Sequence, residues 1–164
     1  LFRRHGITRL VTSCPICLRV FREEYALDGI EVMHHSEYIR MMIAEGRLQM
    51  RRTDMRYTYH DPCELGRGCG IYDQPREVIA AVGELVEPAH NRRDALCCGA
   101  SLANTVIDDS QQMRIAREMT GELEATGAGT IVTSCPLCYK TIKRAAGTET
   151  KDISEVVAEN IFQP

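Results

Sequence analysis

The chain has 164 residues and a formal net charge of −3, with 20 Lys and Arg interspersed among 23 Asp and Glu. That length can bury a core as one domain or two small halves, and the lack of a basic block argues against a nucleic-acid surface. The longest apolar runs fall far short of the ~20 residues of a membrane span, no signal peptide is visible, and eight cysteines in a helix-rich, cytosolic-looking chain point to metal or redox chemistry. The sequence opens at Leu1 without a methionine and reads as a piece of a longer protein.

In chain order, a β-rich run at 7–13 follows a Gly6 turn and ends at Cys14-Pro15-Ile16-Cys17. Proline suits the first turn of a helix, so this CPxC opens a helix at the carboxyl end of a strand. Ser36-Glu37-Tyr38-Ile39, with Met42 and Ile43, reads as a capped amphipathic helix. Met55–His60 is a strand running into Asp61-Pro62-Cys63. A helix over Pro75–Val82 starts at Pro75 and stops at Gly83. The longest helix is predicted over Gln111–Thr126, with Met113, Ala116, Met119 and Leu123 inward; the methionines are core. The run at 129–134 then repeats the opening pattern and ends at Cys135-Pro136-Leu137-Cys138, and Ser154-Glu155-Val156-Val157 with Ile161 repeats the capped helix.

Residues 5–43 and 126–161 are therefore two copies of one unit. Strands alternating with helices predict an α/β fold with a parallel sheet covered on both faces, in Rossmann-like halves related by the repeat. The carboxyl edge of such a sheet is where ligands bind.

Five cysteines form an array: Cys63, the adjacent Cys97 and Cys98, then Cys135 and Cys138, with 33 and 36 residues in the two gaps. Thiolates select zinc, copper(I) or iron–sulfur clusters. A zinc site or an ordinary cubane takes four protein ligands and the array offers five, so either one is a spectator or the group is not an ordinary cubane. Three functions stay open on the residues: a cluster-binding redox subunit, a zinc-stapled assembly domain, and a CxxC thiol–disulfide oxidoreductase. Helix N-termini suit an anionic thiolate-bound core, and Gly99 would let the backbone pass close to it.

The pattern Cys–x33–Cys-Cys-Gly–x35–Cys-Pro-x-Cys resembles the CCG, or cysteine-rich, domain. That family includes the cysteine-rich subunit of heterodisulfide reductase, the glycolate oxidase iron–sulfur subunit and the iron–sulfur subunit of anaerobic glycerol-3-phosphate dehydrogenase. Tyr59-His60-Asp61-Pro62-Cys63-Glu64-Leu65-Gly66-Arg67 resembles its HDPC-LGR segment, Tyr72-Asp73-Gln74-Pro75-Arg76 its YD-PR segment, and Val32–Glu37 a histidine-containing segment between the repeats. The resemblance implies a fragment of a two-motif protein, with residues 1–50 the end of a first repeat and 51–164 a complete second one. It implies a [4Fe–4S] cluster, noncubane where all five sulfurs bind, on Cys63, Cys97, Cys98, Cys135 and Cys138, with zinc or an empty site as the alternative for the isolated piece. Cys14 and Cys17 are a partial first site, and His60, Arg67 and Gly99 stand behind the ligands.

The implied partners are ferredoxin-like, flavin or quinone-linked redox subunits, with no nucleic acid and no membrane span in this segment. The implied location is cytoplasmic, with any membrane attachment through those partners. Arg67 neutralises a cluster or pairs with Asp61 or Glu64. Arg76, a cation in the first turn of a helix, calls for a specific acidic partner. His60 either orders its turn or serves a cluster sulfur, His34 and His35 are structural, and Cys69 is a buried spectator, a redox-sensitive thiol or a substitute ligand. Ala100-Ser101-Leu102-Ala103-Asn104 stands where the family runs on in glycines and would narrow the cavity beside the cluster.

Overall fold

The computed structural model describes residues 2–25, 27–100 and 106–162. Strand and helix alternate, and the strands pair in parallel throughout two sheets. The first sheet joins β1 (Arg9–Thr12) to β2 (Glu31–His34). The second runs in the order β4 (Glu84–Leu85), β3 (Arg56–His60), β5 (Thr130–Thr133), β6 (Glu149–Asp152). The helices are α1 (Pro15–Glu23), α2 (His35–Ala44), α3 (Asp73–Val82), α4 (Asp109–Glu124), α5 (Pro136–Ala145) and α6 (Ile153–Glu159).

The internal repeat is plain in this order. β1–α1–β2–α2 and β5–α5–β6–α6 each run from a short strand through Cys-Pro into a helix, then a parallel strand, then a capped helix. In α1 and α5 the proline occupies the first turn, where its missing N–H costs nothing. His34 caps α2 by accepting from Ser36 N–H, and Glu37 closes the capping box; Asp152, Ser154 and Glu155 do the same for α6. Thus a histidine and an aspartate perform one job at equivalent positions.

Packing on the larger sheet follows the two-residue period of its strands. Tyr57, Tyr59 and Val132 face Val78, Ile79 and Val82 of α3 and Ile153, Val156 and Val157 of α6. Ile131 points the other way, to Met119 and Leu123 of α4 and Ile142 of α5. Helix α2 lies on α3 and α6, and its Ile39 and Ile43 join their core, so the first unit is built onto the second. The linker is pinned as well: Arg51 N–H donates to Asn160 O and Phe162 N–H to Gln49 O.

Two helices differ in their ends from the sequence reading. α3 begins at Asp73, two residues before Pro75. Gly83 does end it, but in extended backbone (φ −168°), not as a left-handed cap. Its role is steric: a Cβ there would lie 2.5 Å from Met55 O and 2.6 Å from the Tyr57 ring. α4 starts and stops two residues earlier than predicted, because Asp108 caps it through Gln111 N–H, and Gly127 (φ 69°) turns the chain after it. Of its predicted inward residues, Ala116, Met119 and Leu123 are buried and Met113 is half-buried.

Candidate metal centre

β3 and β5 are neighbours, but β3 continues to β4 on one side and β5 to β6 on the other. Their carboxyl ends thus form a topological switch point, the place where an open parallel sheet leaves a crevice. Cys63 follows β3 there and begins a π-helical turn over Glu64–Gly68. Cys135 follows β5 and is the N-cap of α5, with Cys138 in that helix's first turn. Cys97 and Cys98 arrive on the loop after a 3-10 turn at Arg92–Asp94.

The five sulfurs form one continuous file. The Cys63 thiol interacts with Cys97, Cys97 with Cys98, and Cys138 with Cys135, while Cys98 Sγ lies 3.3 Å from Cys138 Sγ. All eight cysteines are free thiols, so Cys97 and Cys98 are not joined as a vicinal disulfide. Among the described residues, no three or more His, Cys, Asp or Glu side chains converge so as to hold a single metal ion.

Protons in the file are shared unevenly. Hydrogen bonds with Cys63 and Cys98 pull the Cys97 thiol down to about 2, and Gly99 N–H also donates to its sulfur at 3.4 Å. The hydrogen bond with Cys138 brings Cys135 down to about 7, helped by the backbone N–H groups that open α5. Hydrogen bonding to Cys97, followed by burial, raises the Cys63 thiol, and hydrogen bonding to Cys135 and Cys98 raises Cys138. Cys98 is raised as well, so Cys97 and Cys135 ionise at the expense of Cys63, Cys98 and Cys138. A cationic core would remove that conflict, since coordinating thiols are deprotonated outright.

A cavity of about 350 Å³ opens beside the file. Cys63, Cys98, Cys135 and Cys138 line it, and Pro62, Pro136 and Leu137 make its walls apolar. Cys14 and Ile16 of the first unit line it too, so it lies between the two units. Cys14 is the N-cap of α1 as Cys135 is of α5, so two helix N-termini end at this cavity and favour an anionic occupant.

Residues 57–143, just over half of the chain, match the cysteine-rich domain family, CCG. The chain belongs to that family. The CCG match encloses Cys63, Cys97, Cys98, Cys135 and Cys138, and Cys14 and Cys17 precede it. The chain is 31% identical over 95% of its length to the EtfAB:quinone oxidoreductase of Syntrophomonas wolfei, of which it covers 24%. It is 30% identical over 98% of its length to the "Probable iron-sulfur-binding oxidoreductase FadF" of Bacillus subtilis, covering 24% of that protein. Against a subunit of the dihydromethanophenazine:CoB–CoM heterodisulfide reductase of Methanosarcina acetivorans, identity is 26% over 94% of the chain and 41% of the relative. The CCG chain thus spans about a quarter of the first two and under half of the third.

The remaining site residues divide. Cys14 accepts from Cys17 N–H at 3.5 Å, and Cys17 is exposed, its thiol raised by the hydrogen bond to Cys14. Cys69 is half-buried among Leu18, Val32, Leu65 and Ile71, away from the file. His60 is buried, and its Nδ1 meets Thr133 Oγ1 at 3.3 Å, tying the ends of β3 and β5; among the described residues its Nε2 has no hydrogen-bond partner. Burial lowers its pKa to about 4, so it is neutral.

Arg67 departs from the ion-pair expectation. It pairs with neither Asp61 nor Glu64, but donates through Nη1 to Arg93 O at 3.0 Å and Ala95 O at 2.8 Å. Gly99 is required by its left-handed φ of 78° and by α4, since a Cβ there would lie 3.2 Å from Ile115. Ala100 does line the cavity, but the narrowing expected from 101–104 lies outside the described residues.

The acidic partners of Arg76 are Asp61, met twice at 2.7 Å, and Glu87, at 2.6 and 3.0 Å. The first-turn arginine signalled the network; nothing local in the sequence pointed to Glu87. His34 and His35 are structural, as expected. His34 Nε2 faces Ser13 O at 3.3 Å, so it carries the proton and Nδ1 is free to cap α2, while His35 Nε2 reaches Asp152 at 3.2 Å and bonds the two units. Among the described residues, no helix is long and apolar enough to cross a membrane.

Proposed function

We propose that this chain is the iron–sulfur-binding, electron-transferring part of a larger oxidoreductase of the heterodisulfide-reductase type. The observation that carries the reading is the unbroken file of five thiols at the switch point of the sheet. A file spreads its donors along a line, which suits a core of several metal atoms better than one ion. Five sulfurs favour a noncubane [4Fe–4S] core on Cys63, Cys97, Cys98, Cys135 and Cys138 over a four-ligand cubane. The names of the relatives, an iron-sulfur-binding oxidoreductase and a heterodisulfide reductase among them, support redox work.

When bound, such a cluster supplies one-electron chemistry. The chain's residues provide the rest. The Gly99 N–H donates to Cys97 and the α5 N-terminus lies at Cys135, which favours the more reduced, more negative state. Pro62, Pro136 and Leu137 keep water from one side of the sulfurs. Residues 51–164 form the complete motif, and 1–50 close a second one, with Cys14 and Cys17, whose Cys14 reaches the cavity from the other side. Electrons pass to ferredoxin-like, flavin or quinone-linked partners, consistent with the quinone oxidoreductase among the relatives. The reading places the protein in the cytoplasm, with any membrane contact made through those partners.

The test is anaerobic reconstitution with iron and sulfide, followed by iron, sulfide and zinc analysis and electron paramagnetic resonance. Wild type should take up iron and sulfide and give a cluster spectrum. Cys98→Ser and Cys135→Ser should abolish it, and Cys14→Ser should barely change it. Zinc uptake with no spectrum would sink the redox reading, and equal loss in Cys14→Ser would show that the two CPxC pairs share one site.

A further inference from the structure

We infer that Arg67 and Asp61, which flank Cys63 in the chain, are positioning residues that clamp the segment leading into Cys97 and so set the Cys63–Cys97 end of the sulfur file. Its functional value rests on the cluster reading above; its geometry does not.

Three hydrogen bonds make the clamp. Asp61 Oδ2 accepts from Arg92 N–H at 2.7 Å. Arg67 Nη1 donates to Arg93 O at 3.0 Å and Ala95 O at 2.8 Å. Residues on both sides of Cys63 thus grip residues 92–95, and only Leu96 separates them from Cys97. The gripped segment needs holding, because Arg92 has φ 54° and is the one non-glycine with positive φ among the described residues. Such backbone persists only where its surroundings over-determine it.

Asp61 is itself immobilised. Its carboxylate is 2% exposed and takes both prongs of the Arg76 guanidinium at 2.7 Å. Arg76 is held in turn by Glu87 and by Tyr72 O, and lies over the Tyr59 ring. The clamp is therefore mounted on a rigid, buried base. Arg67, by contrast, is an exposed side chain that directs its charge onto two carbonyls. An exposed cation contributes little to global stability. Its effect should be local, on where Cys97 sits.

The test uses the full chain and three variants: Arg67→Met, Arg67→Lys and Arg93→Met, the last removing a charge nearby while leaving its carbonyl in place. Mild oxidation with diamide, followed by peptide mapping, gives the ratio of Cys63–Cys97 to Cys98–Cys138 disulfide; the second pair is an internal control for folding and reagent. Misplacing reacting groups by an ångström costs up to about a hundredfold, so a loosened segment should lower the ratio about tenfold in Arg67→Met. Arg67→Lys, which can place an ammonium between the same carbonyls, should recover at least half of it on a logarithmic scale, and Arg93→Met should leave it unchanged. After reconstitution, the reduction potential and paramagnetic spectrum should move in Arg67→Met and not in Arg93→Met. An unchanged ratio in Arg67→Met, or an equal fall in Arg93→Met, overturns the clamp. Wild type that takes up no iron but shows the expected ratios overturns the cluster reading and leaves the clamp standing.

Discussion

His34 gives a pH dependence whose size can be worked from its surroundings. Burial, then the neighbouring His35, lowers its pKa from 6.5 to about 3, so it is neutral in the folded chain. The unfolded chain binds a proton there through the window between those two values, and the folded chain does not. Stability must therefore fall as pH drops below about 6.5. Between pH 7.5 and pH 5 the linkage integral for this one group is about 2 kcal/mol. In a chain of this size that is a drop of about 4–8 °C in thermal midpoint. His34→Asn removes the titration and keeps a good N-cap for α2, as Asp152 does for α6. Thermal melts of wild type and His34→Asn, under reductant at both pH values, isolate the term, since every other group is common to both. The variant should lose about 2 kcal/mol less than wild type on acidification. Identical losses in the two proteins would mean that His34 is not held neutral, and the reading of its burial would be wrong.

Three further outcomes are expected. Arg76→Met leaves the Asp61 carboxylate buried without its partner and should cost about 3–5 kcal/mol in urea unfolding, whereas a loss under about 1 kcal/mol would show that the network carries little. Gly83→Ala forces a Cβ against Met55 O and the Tyr57 ring, and should cost about 1–3 kcal/mol even though its φ suits any residue; an unchanged melt would mean β3 and α3 yield freely. Stripping metal from the reconstituted chain with a chelator should lower its thermal midpoint, because binding free energy at a site formed only in the folded state is folding free energy; Cys98→Ser, treated the same way, should show no further drop.

Much of this protein is legible in its residues. The CPxC motifs name their own location, since proline after cysteine can open a helix but cannot continue a strand, and the β-branched run before each supplies the strand. The two copies declare the repeat, and the Ser-Glu pairs at 36–37 and 154–155 mark the second helices, whose caps, His34 and Asp152, lie two residues before each serine. The spacing of five cysteines points to soft-metal chemistry because no packing need calls for an adjacent pair between two distant partners.

What the linear order leaves open is decided by contacts between segments far apart in it. Arg76 announces an acidic partner but not Asp61 and Glu87, because a side chain in a first turn reaches whichever loops the sheet brings beside it. Arg67 reads as an ion-pair partner of Asp61 or Glu64 and instead grips two carbonyls, a choice made only when residues 92–95 arrive next to the turn after β3. Gly83 and Gly99 read as a stop and a cluster neighbour, and the structure shows that each leaves room for a packed element, Met55 and Tyr57 in one case and Ile115 in the other. The order of the sulfurs along their file, with Cys98 against Cys138 and Cys63 against Cys97, likewise follows from which strands lie adjacent: β3 and β5 are far apart in the chain and joined by one ladder of hydrogen bonds.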